Sequence, residues 1–187
     1  MGTEADPYLI TTSEELAGLA ARVNNTTNRE DFAGKYFKLT NDLYLTDFTN
    51  PDTTKWHEWE PIGKWTDIPD PNDPYVHKFD TCWFRGNFDG NNHTIHNVYT
   101  GTVGEISFGG ADDPTAGDVV DFSGNTNSFF SFVDNASISN LTLNNLGLWA
   151  MGKMGGMVSC ASNTKFKNCH VTHSTLIQDT YKPGALG

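Results

Sequence analysis

Apolar and polar positions alternate along the chain in short runs, and three runs share the form x-apolar-x-Asn-apolar-x-apolar. They are TIHNVYT (94–100), SISNLTL (137–143) and KFKNCHV (165–171). Matching stretches precede the last two, FFSFVDNA and MVSCASNT, and bring Phe130 over Val158 and Phe132 over Cys160. GALG (184–187) echoes GGMV (155–158) as the opening of a further copy. Repetition at a few tens of residues predicts one structural unit stacked on itself, each copy burying its neighbour's apolar face. Asn140 and Asn168 lie 28 residues apart, and Gly155 and Gly184 lie 29 apart. Asn97 to Asn140 is 43, and the surplus of 15 is assigned to the polar, Gly- and Asp-rich run 101–127. The units hold Ile, Val, Phe, Leu and Thr between Gly, Asn and Ser, which is strand-and-turn chemistry. No stretch past residue 30 has helical periodicity. The pattern predicts an all-β fold, a parallel β-helix, rather than a stack of helix pairs.

The motif also predicts backbone shape. Apolar residues at 138, 141 and 143 cannot all face inward on one straight strand, because side chains alternate with period 2. A bend at Asn140 restores the alternation, and Asn tolerates left-handed backbone better than most residues. Asn97, Asn140 and Asn168 are therefore expected as equivalent corners of successive coils. Ahead of the repeats, Thr12-Ser13-Glu14-Glu15 offers a capping box, with Thr12 as N-cap and Glu15 three residues on. Leu16, Leu19, Ala20 and Val23 follow at helical spacing, and Asn24-Asn25 ends the run. This predicts one capping α-helix over the N-terminal end of the solenoid, where end coils expose unpaired backbone and bare core. GKYFKLTNDLYLTDF (34–48) alternates as a first strand pair.

GNFDGNNHTIHNVY (86–99), SISNLTL and GGMVSCASNTKFKNCHVTHST resemble the repeats of GLUG-motif proteins. The opening GTEADPYLITTSEELAGLAARVN (2–24) is similar to the segment ahead of such repeats in surface proteins of gut Bacteroidetes type. It also resembles the region before the catalytic domain of IgA-protease-type metallopeptidases. The resemblance implies a right-handed parallel β-helix on a secreted or surface-anchored bacterial protein. It also implies an extracellular location and a role in adhesion or substrate binding, without identifying a ligand; glycans or a host or cell-surface protein are the partners expected. The expected organisation is a cap over 1–50 and a Trp/Asp-rich loop insertion over 51–81. Repeats then fill 82–187, with an excursion at 101–127 and further coils beyond the end of the chain.

Composition narrows the partners. The net charge is −11, with 12 Lys and Arg in 187 residues. Nucleic acid needs basic clusters, which are absent from the sequence, and anionic membrane is disfavoured for the same reason. No apolar run approaches a membrane span, and Met1-Gly2 begins no signal peptide, so the chain reads as a piece of a larger exported protein.

Candidate chemistry is sparse. Cys160 and Cys169 fall at apolar repeat positions and read as buried free thiols, with a disulfide between them as the alternative; Cys82 would be left over. Two HxxH pairs, His93/His96 and His170/His173, are poor metal sites, since residues i and i+3 of a strand face opposite sides. In the repeat register His96 matches Ser139 and Lys167, and His170 matches Thr142 and Tyr99, all outward positions. HExxH is absent, so a metallopeptidase activity would lie elsewhere. No metal or cofactor is expected. Calcium at Asp67, Asp70 and Asp73, or at Asp112, Asp113 and Asp118, competes with a plainer reading as solvated loop carboxylates. Trp56, Trp59 and Trp65, with Tyr75 shortly after, form the best functional lead, because aromatic faces stack on sugar rings. The competing reading is packing over the first coil. Together these features predict a non-catalytic binding module, with a carbohydrate-active β-helix enzyme (lyase or hydrolase) or a spacer as alternatives.

Overall fold

A computed structural model describes residues 1–70, 73–100, 127–150 and 154–178. The described chain is mostly β with one α-helix, and its sheets are largely parallel. Strand β1 (Tyr8–Ile10) leads into α1 (Ser13–Val23). Thr12 caps the helix: its hydroxyl accepts from Glu15 N at 3.2 Å, and Glu15 Oε2 accepts from Thr12 N at 3.2 Å. The helix buries Leu16, Leu19, Ala20 and Val23 and touches β1. Its C-cap, Asn24, is buried and ties down the chain ahead, donating to Pro61 O and accepting from Gly63 N, both at 2.9 Å.

The strands that follow are β2 (Tyr36–Leu39), β3 (Leu43–Tyr44), β4 (Lys64–Asp70), β5 (Asp73–Cys82), β6 (Asn87–Asp89), β7 (Thr94–His96) and β8 (Tyr99–Thr100). After them come β9 (Phe130–Asp134), β10 (Ser137–Asn144), β11 (Gly147–Ala150), β12 (Val158–Ser162), β13 (Lys165–Thr172) and β14 (Thr175–Gln178). Three parallel pairs relate the last two levels. Phe130 lies beside Val158, Ile138 beside Phe166 and Leu148 beside Leu176, an offset of 28 residues in every pair. Earlier levels stack in the same sense: Ile10 beside Leu39, Phe37 beside Phe88, Leu43 beside Ile95, and Thr100 beside Leu148. Inward side chains meet in one cluster in which Phe84, Phe88, Phe129, Phe130, Ile62, Ile95, Ile138 and Leu143 are at most 1% exposed. Each such burial stabilises by about 1.5–3 kcal/mol.

Asparagines turn the chain between inward runs. Asn135, Asn140 and Asn145 have φ of 49°, 51° and 59°, and Asn163, Asn168 and His173, each 28 residues on, have 46°, 52° and 49°. Asn97 is also left-handed, at 61°, but it belongs to a different bend from Asn140. Leu143 pairs with Ile95, so Asn97 lies beside Asn145, whose Nδ2 donates to Asn97 Oδ1 at 2.8 Å. The local motif could not separate these two bends, because Asn stands at both Asn140 and Asn145. The earlier level also turns more widely. Asp89 and Thr94 lie opposite Ser139 and Thr142, so a five-residue step faces a three-residue one. Gly90 starts that turn, where a Cβ would come within 2.5 Å of Asn140 O. Correct register raises the surplus before the 28-residue offset from 15 to 20, since Tyr99 pairs with Gly147. It also places His96 beside Asn144 rather than Ser139, and Tyr99 beside Gly147 rather than in register with His170.

The stretch 51–81, expected as a loop insertion, contains a two-stranded antiparallel hairpin, β4 with β5. Ile62 bridges Phe130 and Phe84 bridges Val133, so the hairpin leaves the stack where the next level needs only Ser131 and Phe132.

Candidate functional site

The loop after α1 and the return of the hairpin into the stack enclose an open groove of about 780 Å³. Arg29, Asp31 and Lys35 come from the loop, and Asp80, Trp83 and Arg85 from the returning chain. Residues 81–90 alternate between half-buried and buried, which turns Trp83 outward between the buried Cys82 and Phe84. Trp83 meets Phe132 edge-on at 5.5 Å, and Trp65, at the hairpin base, lies 6.5 Å from the same ring. Trp65 is 39% exposed and Phe132 only 7%. The two indoles thus roof an outward Phe132, with aromatic surface adjoining the groove.

Ion pairs fix the groove walls. Arg85 Nε donates to Asp134 Oδ2 at 2.9 Å and its Nη1 to Asp31 Oδ2 at 3.0 Å. Arg29 donates twice to the Asp80 carboxylate and, at 3.1 Å, to Thr81 O. Burial alone would push Asp31 up, but the Ala33 amide and the Arg85 guanidinium outweigh it and hold its carboxyl below the ordinary value. Arg29 lowers Asp80 and Arg85 lowers Asp134 in the same way. The guanidiniums are raised in turn, Arg29 by Asp80 and Arg85 by Asp134 and then Asp31. Three cations (Arg29, Lys35, Arg85) and three carboxylates (Glu30, Asp31, Asp80) line the groove. It therefore carries little net charge and presents donors and acceptors side by side. That suits a hydroxyl-rich ligand, whereas a polyanion would meet carboxylates.

The expected aromatic platform does not form as one surface. Trp59 is buried at 7% exposure, stacks on Phe129 at 4.9 Å and donates from Nε1 to Phe129 O at 3.0 Å, so its ring packs and does not present a face. Trp56 is half-buried against Phe48 (4.9 Å) and Tyr99 (5.2 Å), with Nε1 donating to Asn50 O at 3.1 Å. Trp65 sits apart, on Phe132. Tyr75 lies on β5, and its ring falls outside the described residues, as do the side chains of Asp67, Asp70 and Asp73. Asp112, Asp113 and Asp118 also fall outside. Sequence reasoning missed Trp83, although its place between Cys82 and Phe84 is an alternation signal.

A second groove, of about 770 Å³, runs past Ser13, Glu14, Tyr44, Asp47, His57 and the edge of Trp59. Beside it Tyr44, 63% exposed, stacks on His96 at 4.4 Å and 6°. His93 Nδ1 lies 3.1 Å from Asp42 Oδ1. The Thr94 amide, more than His93, holds that carboxyl below its ordinary value. Among the described residues no group of three or more His, Cys, Asp and Glu could hold a metal ion. The three cysteines are free thiols: Cys82 is buried, where burial pushes its thiol up, and Cys160 and Cys169 are half-buried. Among the described residues no helix is long and apolar enough to cross a membrane.

No protein-family model, curated protein or solved structure matches this chain.

Proposed function

We propose that the chain is a right-handed parallel β-helix of the GLUG-motif type and serves as a non-catalytic, glycan-binding module of a bacterial surface protein. A common 28-residue offset in three separate parallel sheets supports the solenoid, with three left-handed bends per coil and α1 as its cap. The resemblance of the repeats and of the opening segment supports the family and, through it, the extracellular setting.

The observation that carries the binding reading is the pair Trp65 and Trp83 over Phe132, beside a groove of matched charges. Indole faces stack on sugar rings, and the Arg–Asp pairs supply fixed partners for hydroxyls. A general acid working near neutrality needs a raised pKa. Asp31 and Asp80 are shifted the other way, which favours binding over hydrolysis. A glycan array, followed by incubation with plant and host polysaccharides, tests the proposal. Saturable binding without new chain ends is expected, and Trp65→Ala and Trp83→Ala should each weaken it about tenfold or more. New reducing ends would indicate an enzyme instead. Absence of any binding would leave a spacer. Binding unchanged by both substitutions would place the ligand elsewhere.

A further inference from the structure

Charge pairing in the first groove leaves one corner uncommitted. Arg29 gives Nη1 and Nη2 to Asp80, and Glu30 is held by Arg22 from α1. Asp31 accepts from Arg85 Nη1 through one oxygen and from the Ala33 amide through the other, each at 3.0 Å. The carboxylates lining the groove are thus engaged. Two donors are not. Lys35 lines the groove and is exposed, and its ammonium has no partner among the described residues. Arg85 bonds through Nε and Nη1, which leaves Nη2 without a partner among those residues, and that atom is not buried. The backbone sets these groups in a row. Residues 81–90 alternate, so Trp83 and Arg85 face the same side, about 6–7 Å apart along the chain. The Arg85 amide donates to Asp31 O and the Asn87 amide to Lys35 O, both at 2.7 Å, so Lys35 lies one step beyond Arg85. An indole face and then two spare cationic donors follow one another along the groove.

We propose that this groove selects a glycan carrying an isolated sugar carboxylate, on the residue next to the ring that stacks on Trp83. The inference rests on the glycan reading above and names the ligand class for the same site. Lys35 Nζ and Arg85 Nη2 would donate to the carboxylate oxygens, and such charge-assisted bonds are stronger than bonds to a hydroxyl. A uronic acid and a sialic acid share this chemistry. A densely charged polymer is the poorer ligand. Glu30, Asp31 and Asp80 line the same groove, and a carboxylate or sulfate on every sugar would be set against them. A neutral glycan leaves Lys35 and Arg85 Nη2 to water and gains nothing from either. The arrangement therefore selects both the sign of the ligand charge and its low density.

The test is an array in which each uronate- or sialate-bearing glycan stands beside its carboxyl-reduced form, with neutral glycans and sulfated polymers alongside. The acid form should bind about three- to tenfold more tightly than its reduced form, and raised salt should erase the difference, since an exposed ion pair is modest and screened. The series that shows the difference, uronate or sialate, identifies the source of the carboxylate. Lys35→Gln should bring the acid form close to the affinity of the reduced form, and Lys35→Arg should keep most of the preference. Neither substitution should change the melting temperature, because the side chain is exposed. Equal binding of acid and reduced forms overturns this inference and leaves the glycan reading standing. So does tighter binding of the sulfated polymers, or a preference for the acid that survives Lys35→Gln. Binding of no glycan in any series overturns both.

Discussion

Asn140 does two jobs with one side chain. Its left-handed backbone turns β10 so that Ile138, Leu141 and Leu143 all point inward, and all three are fully buried. Its amide donates to Asp89 Oδ1 at 2.9 Å, while its Oδ1 accepts from Asn168 Nδ2 at 3.0 Å, linking three levels. Asn140→Ala should cost about 1–2 kcal/mol, the usual cost of left-handed backbone for an L-residue. Asn140→Gly should cost less, since it gives up only the amide ladder; chemical denaturation of the two variants separates the contributions. Gly63 is less forgiving. It has φ of 87°, and a Cβ there would sit 2.6 Å from Phe132 O. The bend at Asn140 was legible in the sequence because the spacing of its apolar neighbours forbids a straight strand. The vertical partner of Asn97 was not, because Asn stands at both candidate bends, Asn140 and Asn145. The fate of Trp59 was equally illegible: its fit against Phe129 joins residues far apart in the chain.

Among the elements, α1 was the most legible, since cap, apolar stripe and terminator are all local. It lies beside β1, the end strand of the main sheet, so it should control the stability of that end. Thr12→Ala should cost about 1 kcal/mol through the lost cap. Leu16→Ala should cost about 2–5 kcal/mol through the cavity it leaves. Thermal melts of both check this. The hairpin β4–β5 was hidden by its prolines. Pro69 and Pro74 argue against a strand within a wide sheet, yet a two-stranded ribbon leaves each strand one open side, and the register slips at Pro69/Asp70. The groove beside it depends on charge pairing, which gives a pH signature. Asp31, Asp80 and Asp134 have folded pKa values below their unfolded value near 3.9. Their contribution to stability is therefore complete above about pH 4 and is lost as pH falls through the lower folded values. Arg85→Met should flatten that acid limb, which denaturation across pH 2–6 would show as a shallower slope (about the range in which carboxylates titrate).

Across the whole molecule, the 28-residue period of the last two levels was readable because nothing interrupts them. Earlier levels carry the hairpin, and the excursion expected at 101–127 lies almost wholly outside the described residues; unequal spacing in the sequence breaks the arithmetic by which repeats are found. The interruptions matter more to the proposed function than the repeats, since the hairpin is what brings Trp65 to Phe132 and Trp83 to the mouth of a groove. That arrangement depends on residues distant in sequence, so it became visible only once the levels were stacked. The central claim is that this aromatic and charged surface binds glycan. The most direct test is to follow the five tryptophan indole N–H signals by NMR while titrating the best binder from the array. The signals of Trp65 and Trp83 should move together and saturate, while that of Trp59, buried and bonded to Phe129 O, should stay fixed. Saturable binding that leaves Trp65 and Trp83 still, or that shifts Trp59 instead, would contradict the account.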